Sequence, residues 1–130
     1  MRQATTKMTY DQYCLLPDDG KQYEVIDGEL FMTPAPKPKH QKIVLRVAEE
    51  LDTHVKKNNL GEVFIAPVDI LFDQHTVVQP DVLFISSSRL GIVKEEAIEG
   101  APDLVVEVLS PSTFYKDLRK KMTAYSQFGV

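Results

Sequence analysis

Two short runs each carry a carboxylate in company that does not suit one. Gln79–Phe84 reads QPDVLF and Leu104–Leu109 reads LVVEVL, so Asp81 and Glu107 each sit among residues of strand type. Without its glutamate the second run reads as a strand buried on both faces. A buried ionised carboxylate costs several kcal/mol unless a cation or hydrogen bonds compensate it. If the two strands are neighbours, Asp81 and Glu107 can point at one spot, where they repel each other unless a divalent cation, Mg²⁺ or Mn²⁺, lies between them. Taken singly, each has a simpler explanation. Asp81 could cap a turn, and Glu107 could pair with a lysine or arginine or face solvent at a sheet edge.

A third group comes from the last helical pattern, STFYKDLRKKMTAYSQFG at residues 112–129. Helical projection puts Leu118, Lys121, Met122, Tyr125 and Phe128 on one face and turns Lys116, Arg119 and Lys120 away from it. Lys121 thus stands in an apolar stripe. Asp117 precedes it by four residues, the acid-before-base order that favours an ion pair along a helix, and could orient the ammonium. The simpler reading is that Lys121 snorkels past the core.

These residues need elements to hold them. MTYDQYCLLPDDGKQ suggests a short helix and then a loop, and YEVIDGELFMTPAP alternates apolar and polar side chains around Asp27-Gly28, a dipeptide suited to a type I′ hairpin turn. Pro34, Pro36 and Pro38 end that pairing. From about His40 to Lys57, Ile43, Val44, Val47, Leu51 and Val55 recur at helical spacing. EVFIAPVDILF reads as strand interrupted by Pro67, and VVQPDVLFI as another strand entered through Pro80. SSSRLGIVKEEAIEGAP reads as a loop with one short helix. A strand over Asp103–Leu109 ends at Ser110-Pro111-Ser112-Thr113, whose hydroxyls suit the N-cap of a final helix reaching about Phe128.

A chain of 130 residues supports one domain, 1–130, with one core, and 43% hydrophobic with 26% charged residues places it among globular proteins. No apolar run approaches the roughly 18–20 residues that span a bilayer, and the first residues lack a secretory apolar segment; no membrane partner and a cytoplasmic location are expected. Cys14 is the only cysteine, which excludes an intrachain disulfide or a multi-thiolate zinc site. A net charge of −4 argues against indiscriminate nucleic-acid binding, though local basic clusters remain: Lys37, Lys39 and Lys42, then Lys116, Arg119 and Lys120. These could receive DNA or be solvated faces.

The ordered series YEVIDGEL, PAP and a following histidine, QPDVLF, APDLVVEVLSPST, and then Asp117, Lys121, Tyr125 and Gly129-Val130 at intervals of four resembles the Uma-two family of bacterial endonucleases. The resemblance covers nearly the whole chain. It implies the restriction-endonuclease-like α/β fold of the PD-(D/E)XK superfamily, with a mixed central sheet flanked by helices and an N-terminal β-hairpin. It makes Pro80-Asp81 the PD element and Glu107 the second acid. Leu109 stands where the general motif has its lysine, and the family's charge is implied to come from Lys121 on the next helix. Glu24 and His40 match family positions, implying an outer contact to metal-bound water for Glu24 and a phosphate or water contact for His40. Alternatively, Glu24 is an exposed hairpin residue and His40 serves a helix N-terminus. Relatives continue past Gly-Val into an aromatic strand, so the resemblance implies a sheet lacking C-terminal strands, which invites dimers or higher oligomers.

On this reading Asp81, Glu107 and the Val108 carbonyl hold Mg²⁺ or Mn²⁺, and Lys121 completes a DNA endonuclease that hydrolyses phosphodiesters. A non-catalytic descendant that binds or oligomerises is the rival, and a hydrolase of small phosphate esters is a third possibility.

Overall fold

The computed structural model describes residues 6–33, 35–111 and 115–130, the side chains of Tyr115 and Lys116 excepted. In chain order the elements are α1 (Tyr10–Tyr13), β1 (Gln22–Ile26), β2 (Glu29–Thr33), α2 (Pro38–Lys57), β3 (Gly61–Ile65), β4 (Ile70–Asp73), β5 (Thr76–Val78) and β6 (Val82–Ser86). A 3-10 helix (Ser87–Ile92), β7 (Ile98–Glu99), β8 (Leu104–Val106) and α3 (Tyr115–Gln127) follow. The strands make a five-stranded sheet, β2-β1-β5-β4-β7, and a three-stranded sheet, β3-β6-β8. β4 and β7 run parallel and the other pairs antiparallel. α2 packs on β3 and β6, and α3 on β1. The larger sheet is mixed and helices pack on the strands, the architecture that the family resemblance implies.

The hairpin between β1 and β2 turns at Asp27 (φ 50°) and Gly28 (φ 80°), the positive backbone angles of a type I′ turn. A Cβ at Gly28 would meet Lys7 Cβ at 2.3 Å, so this turn needs glycine for space as well as for conformation. Along β1, Gln22, Glu24 and Ile26 face one cleft, whereas Tyr23 and Val25 pack with Tyr13 and Val77 on the other side. The main core joins Ile26, Ile70 and Val78 of the larger sheet to Leu83 and Ile85 of the smaller, with Ala124 and Tyr125 of α3 closing it.

VVQPDVLFI forms two strands, not one. β5 belongs to the larger sheet and β6 to the smaller, and Gln79-Pro80-Asp81 makes the passage between them. Pro80 offers no N–H to a ladder and is itself fully buried, which accounts for the break. The expected strand Asp103–Leu109 is paired only over Leu104–Val106, and Leu104 is 43% exposed, so the run is not buried on both faces. β7 was not anticipated; its two residues pair with Ile70 and Leu71. Met122 is 54% exposed and leaves the apolar stripe of α3, because Ala124 and Tyr125 carry that contact. Ile43, placed on the buried stripe of α2 by its spacing, is also exposed, while Val44 and Val55 are buried. Pro34 and the proposed N-cap residues Ser112 and Thr113 lie outside the described residues. Among the described residues no helix is long and apolar enough to cross a membrane.

Candidate functional site

The β6–β8 ladder pairs Val82 with Val106, and one step beyond that pair its register sets Asp81 opposite Glu107. Backbone pairing between β3 and β6 runs on to Asp81, whose carbonyl accepts from Ala66 N at 3.1 Å. The two acids thus leave the same end of neighbouring strands. Asp81 Oδ2 accepts from Val108 N at 2.7 Å, a bond that holds the carboxylate against the chain just after Glu107. Both acids line a cleft of about 240 Å³, together with Glu24, His40, Gln79, Val108, Asp117 and Lys121.

Lys121 is the hub of this cleft. Its ammonium lies 2.6 Å from Glu24 Oε2 and 2.8 Å from Glu107 Oε1, and the side chains of all three are almost enclosed. Glu24 Oε2 also accepts from Gln79 N at 2.7 Å. The Tyr125 hydroxyl donates to Glu107 Oε1 at 2.6 Å. His40, in the first turn of α2, donates from Nε2 to the Val108 carbonyl at 3.0 Å and stands 3.4 Å from Asp81 Oδ2.

Burial pushes the Glu107 carboxyl above the usual glutamate range, and the Lys121 charge only partly offsets it. Burial on its own would lower the Lys121 ammonium, but the charges of Glu24 and Glu107 outweigh it and hold the lysine above its ordinary value. The Tyr125 phenol is raised by burial first and then by Glu107, so it remains a neutral donor.

Asp81, Glu107 and Lys121, separated widely in the chain, meet in one cleft, and Glu24 and His40 join them. Glu24 is not the exposed hairpin residue of the simpler reading; it holds Lys121 directly. Asp117 lines the cleft, but the expected orientation of Lys121 by Asp117 is replaced by the Glu24 and Glu107 contacts. Lys121 does not snorkel past the core, since its charge ends on two largely enclosed acids. Of the basic clusters, Lys37 borders the cleft, Lys39 and Lys42 are exposed on α2, and Arg119 is exposed on α3. Lys120 pairs with Glu29 and covers the ring of Phe31, and the Lys116 side chain is outside the described set. Sequence reasoning gave no role to Gln79, which acts through a backbone N–H that no side-chain pattern reports. Tyr125 was visible only as a spacing.

Asp81, Glu107 and the Val108 carbonyl are oxygen donors of the hard kind that Mg²⁺ and Mn²⁺ prefer, and in chemistry they fit such an ion. Their described contacts engage Oδ2 of Asp81, Oε1 of Glu107 and the Val108 oxygen. Among the described residues no group of three or more His, Cys, Asp or Glu side chains is placed to hold a metal.

A mixed α/β fold with acids ending two adjacent strands and a lysine from the following helix defines the restriction-endonuclease-like class, the PD-(D/E)XK superfamily. The chain belongs to the Uma2 family, described as "Putative restriction endonuclease", whose model matches residues 9–130. Among solved structures it is similar to a "putative nuclease belonging to DUF820" from Anabaena variabilis ATCC 29413. That match has a TM-score of 0.78 and 24% identity over 95% of this chain and 70% of the other, a likeness of fold. No curated protein matches the chain.

Proposed function

We propose that the cleft is a metal-assisted centre for hydrolysing DNA phosphodiesters. The observation that carries the reading is the convergence of Asp81 and Glu107, opposite each other at one end of the β6–β8 ladder, with Lys121 in contact with Glu107. Four acids, Glu24, Asp81, Glu107 and Asp117, outnumber Lys37 and Lys121 in the cleft and would repel a phosphate by themselves, so a substrate of this kind needs a further cation. Asp81, Glu107 and the Val108 carbonyl would hold Mg²⁺ or Mn²⁺, which when bound supplies Lewis acidity and a more acidic water. Lys121 offsets charge that builds on the phosphate oxygens, and Glu24 keeps its ammonium in place. Lys37, Lys39, Lys42 and Arg119 are available to flanking phosphates.

A second reading has its own support: a nuclease-like domain that no longer cleaves and serves binding or oligomerisation. The described contacts favour it as they stand, because Glu107 is engaged by Lys121 and Asp81 is flanked by His40. Both readings keep the fold and differ in whether the cleft admits a metal.

Plasmid nicking in Mg²⁺ separates them. The wild type should nick supercoiled DNA and Asp81→Asn, which preserves an acceptor for Val108 N–H, should not. Equal nicking by both removes Asp81 from the chemistry, and none by either supports the non-catalytic domain. Hydrolysis of a chromogenic phosphodiester with plasmid left intact would move the proposal to small phosphate esters.

A further inference from the structure

We infer that Tyr125 is a positioning residue for the metal site: its hydroxyl fixes the Glu107 carboxylate while the Lys121 ammonium is the partner that gives way to the ion. The inference rests on the metal-assisted reading of the cleft and adds a division of labour within α3. Tyr125 follows Lys121 by one helical turn, so both side chains arrive on the same side of the helix and meet the same oxygen, Oε1 of Glu107, at 2.6 and 2.8 Å.

The two donors are tethered differently. Tyr125 is 3% exposed, and its ring meets Phe72 edge-on at 6.2 Å, while Phe72 stacks on Phe128 at 4.7 Å. Packing on this scale leaves the phenol one direction in which to point, and the hydroxyl has one described acceptor, Glu107. Lys121 has a flexible stem and a second acceptor, Glu24 Oε2, at 2.6 Å.

Their charges also differ. With a cation at Glu107 the ammonium beside it would be repelled, and Lys121 would give up that contact while keeping its ion pair with Glu24. A neutral phenol feels no such repulsion and keeps its bond to Oε1, so the carboxylate would hold its orientation when the ammonium moves. This arrangement is the one seen around metal ligands generally, where an outer hydrogen bond orients the coordinating group, and losing it typically weakens metal affinity roughly 10–100-fold.

The test is Mn²⁺ binding to the full chain, read from the loss of the free-ion electron paramagnetic resonance signal, for wild type, Asp81→Asn, Glu107→Gln, Tyr125→Phe and the Glu107→Gln/Tyr125→Phe pair. Tyr125→Phe preserves the ring against Phe72 and leaves Lys121 on Glu107, so it should retain a cooperative melt. Its Mn²⁺ affinity should fall by about tenfold or more. In the Glu107→Gln background the same change should have no further effect, which a general loosening of the fold would not reproduce. Wild-type affinity in Tyr125→Phe, or an equal loss with and without Glu107, overturns the assignment of Tyr125. A wild type that binds Mn²⁺ no better than Asp81→Asn overturns the metal site itself, a separate result.

Discussion

Two polar clusters lie on either side of Gln79, and they satisfy their acids in different ways. On one side Asp69 Oδ1 accepts from the Tyr13 hydroxyl at 2.7 Å and from Gln79 Nε2 at 2.8 Å. On the other, Gln79 N supports Glu24, and Glu24 shares the Lys121 ammonium with Glu107. The first cluster gives one acid neutral donors with fixed geometry. The second divides one cation between two acids, with Asp81 and His40 close by. Neutral donors make a lasting brace, whereas a shared ammonium can be exchanged for another cation. The proposed centre lies in the second cluster, the one whose ammonium is shared.

The largest test of that contrast is Lys121→Ala. It strands Glu24 and Glu107 together in an enclosed place, and breaking a buried pair in this way costs about 3–5 kcal/mol, measurable by urea denaturation. A loss under about 1 kcal/mol would mean the lysine contacts resemble those of an exposed pair. Next, Asp69→Ala removes a charged acceptor and leaves the Tyr13 hydroxyl with only the Tyr23 carbonyl and Gln79 Nε2 with only the Tyr13 oxygen, and should lower stability by about 1–3 kcal/mol. Mn²⁺ affinity should be unchanged in that variant; a parallel fall in affinity would show that the two clusters work as one.

A smaller effect concerns alkaline pH. Burial first, and then Asp69, raise the Tyr13 phenol above its ordinary value of 10.0. A group that holds its proton more tightly in the folded chain stabilises it fully below that ordinary value and loses the contribution as pH climbs toward the folded one. Stability should therefore decline above about pH 10, and more gently in Tyr13→Phe. Identical slopes would contradict this placement of Tyr13. The mildest expectation is for Lys39→Ala and Lys42→Ala, each of which should reduce the salt dependence of DNA binding by about 0.9 in log–log slope if it meets one phosphate. No change in slope would leave these lysines as solvated charges.

Much of the cleft was legible because acids and cations stand out against strand and helix patterns. Glu107 was out of place in LVVEVL, Lys121 out of place in an apolar stripe, and Asp27-Gly28 announced its turn. What stayed hidden depends on tertiary geometry. The passage at Gln79-Pro80-Asp81 from one sheet to the other cannot be seen in VVQPDVLFI, since both halves have strand composition. Asp117 stood at ideal helical spacing from Lys121, yet that local pair is replaced by contacts to Glu24 and Glu107, residues distant in sequence. The role of Tyr125 required knowing where its hydroxyl ends.

The most direct measurement is a crystal of the chain equilibrated with Mn²⁺ and examined by anomalous scattering. The account predicts an anomalous peak within bonding distance of Asp81 and Glu107, with the Lys121 ammonium drawn away from Glu107 toward Glu24. Crystals that show no peak there, with Glu107 still on Lys121 and Asp81 still beside His40, would contradict it.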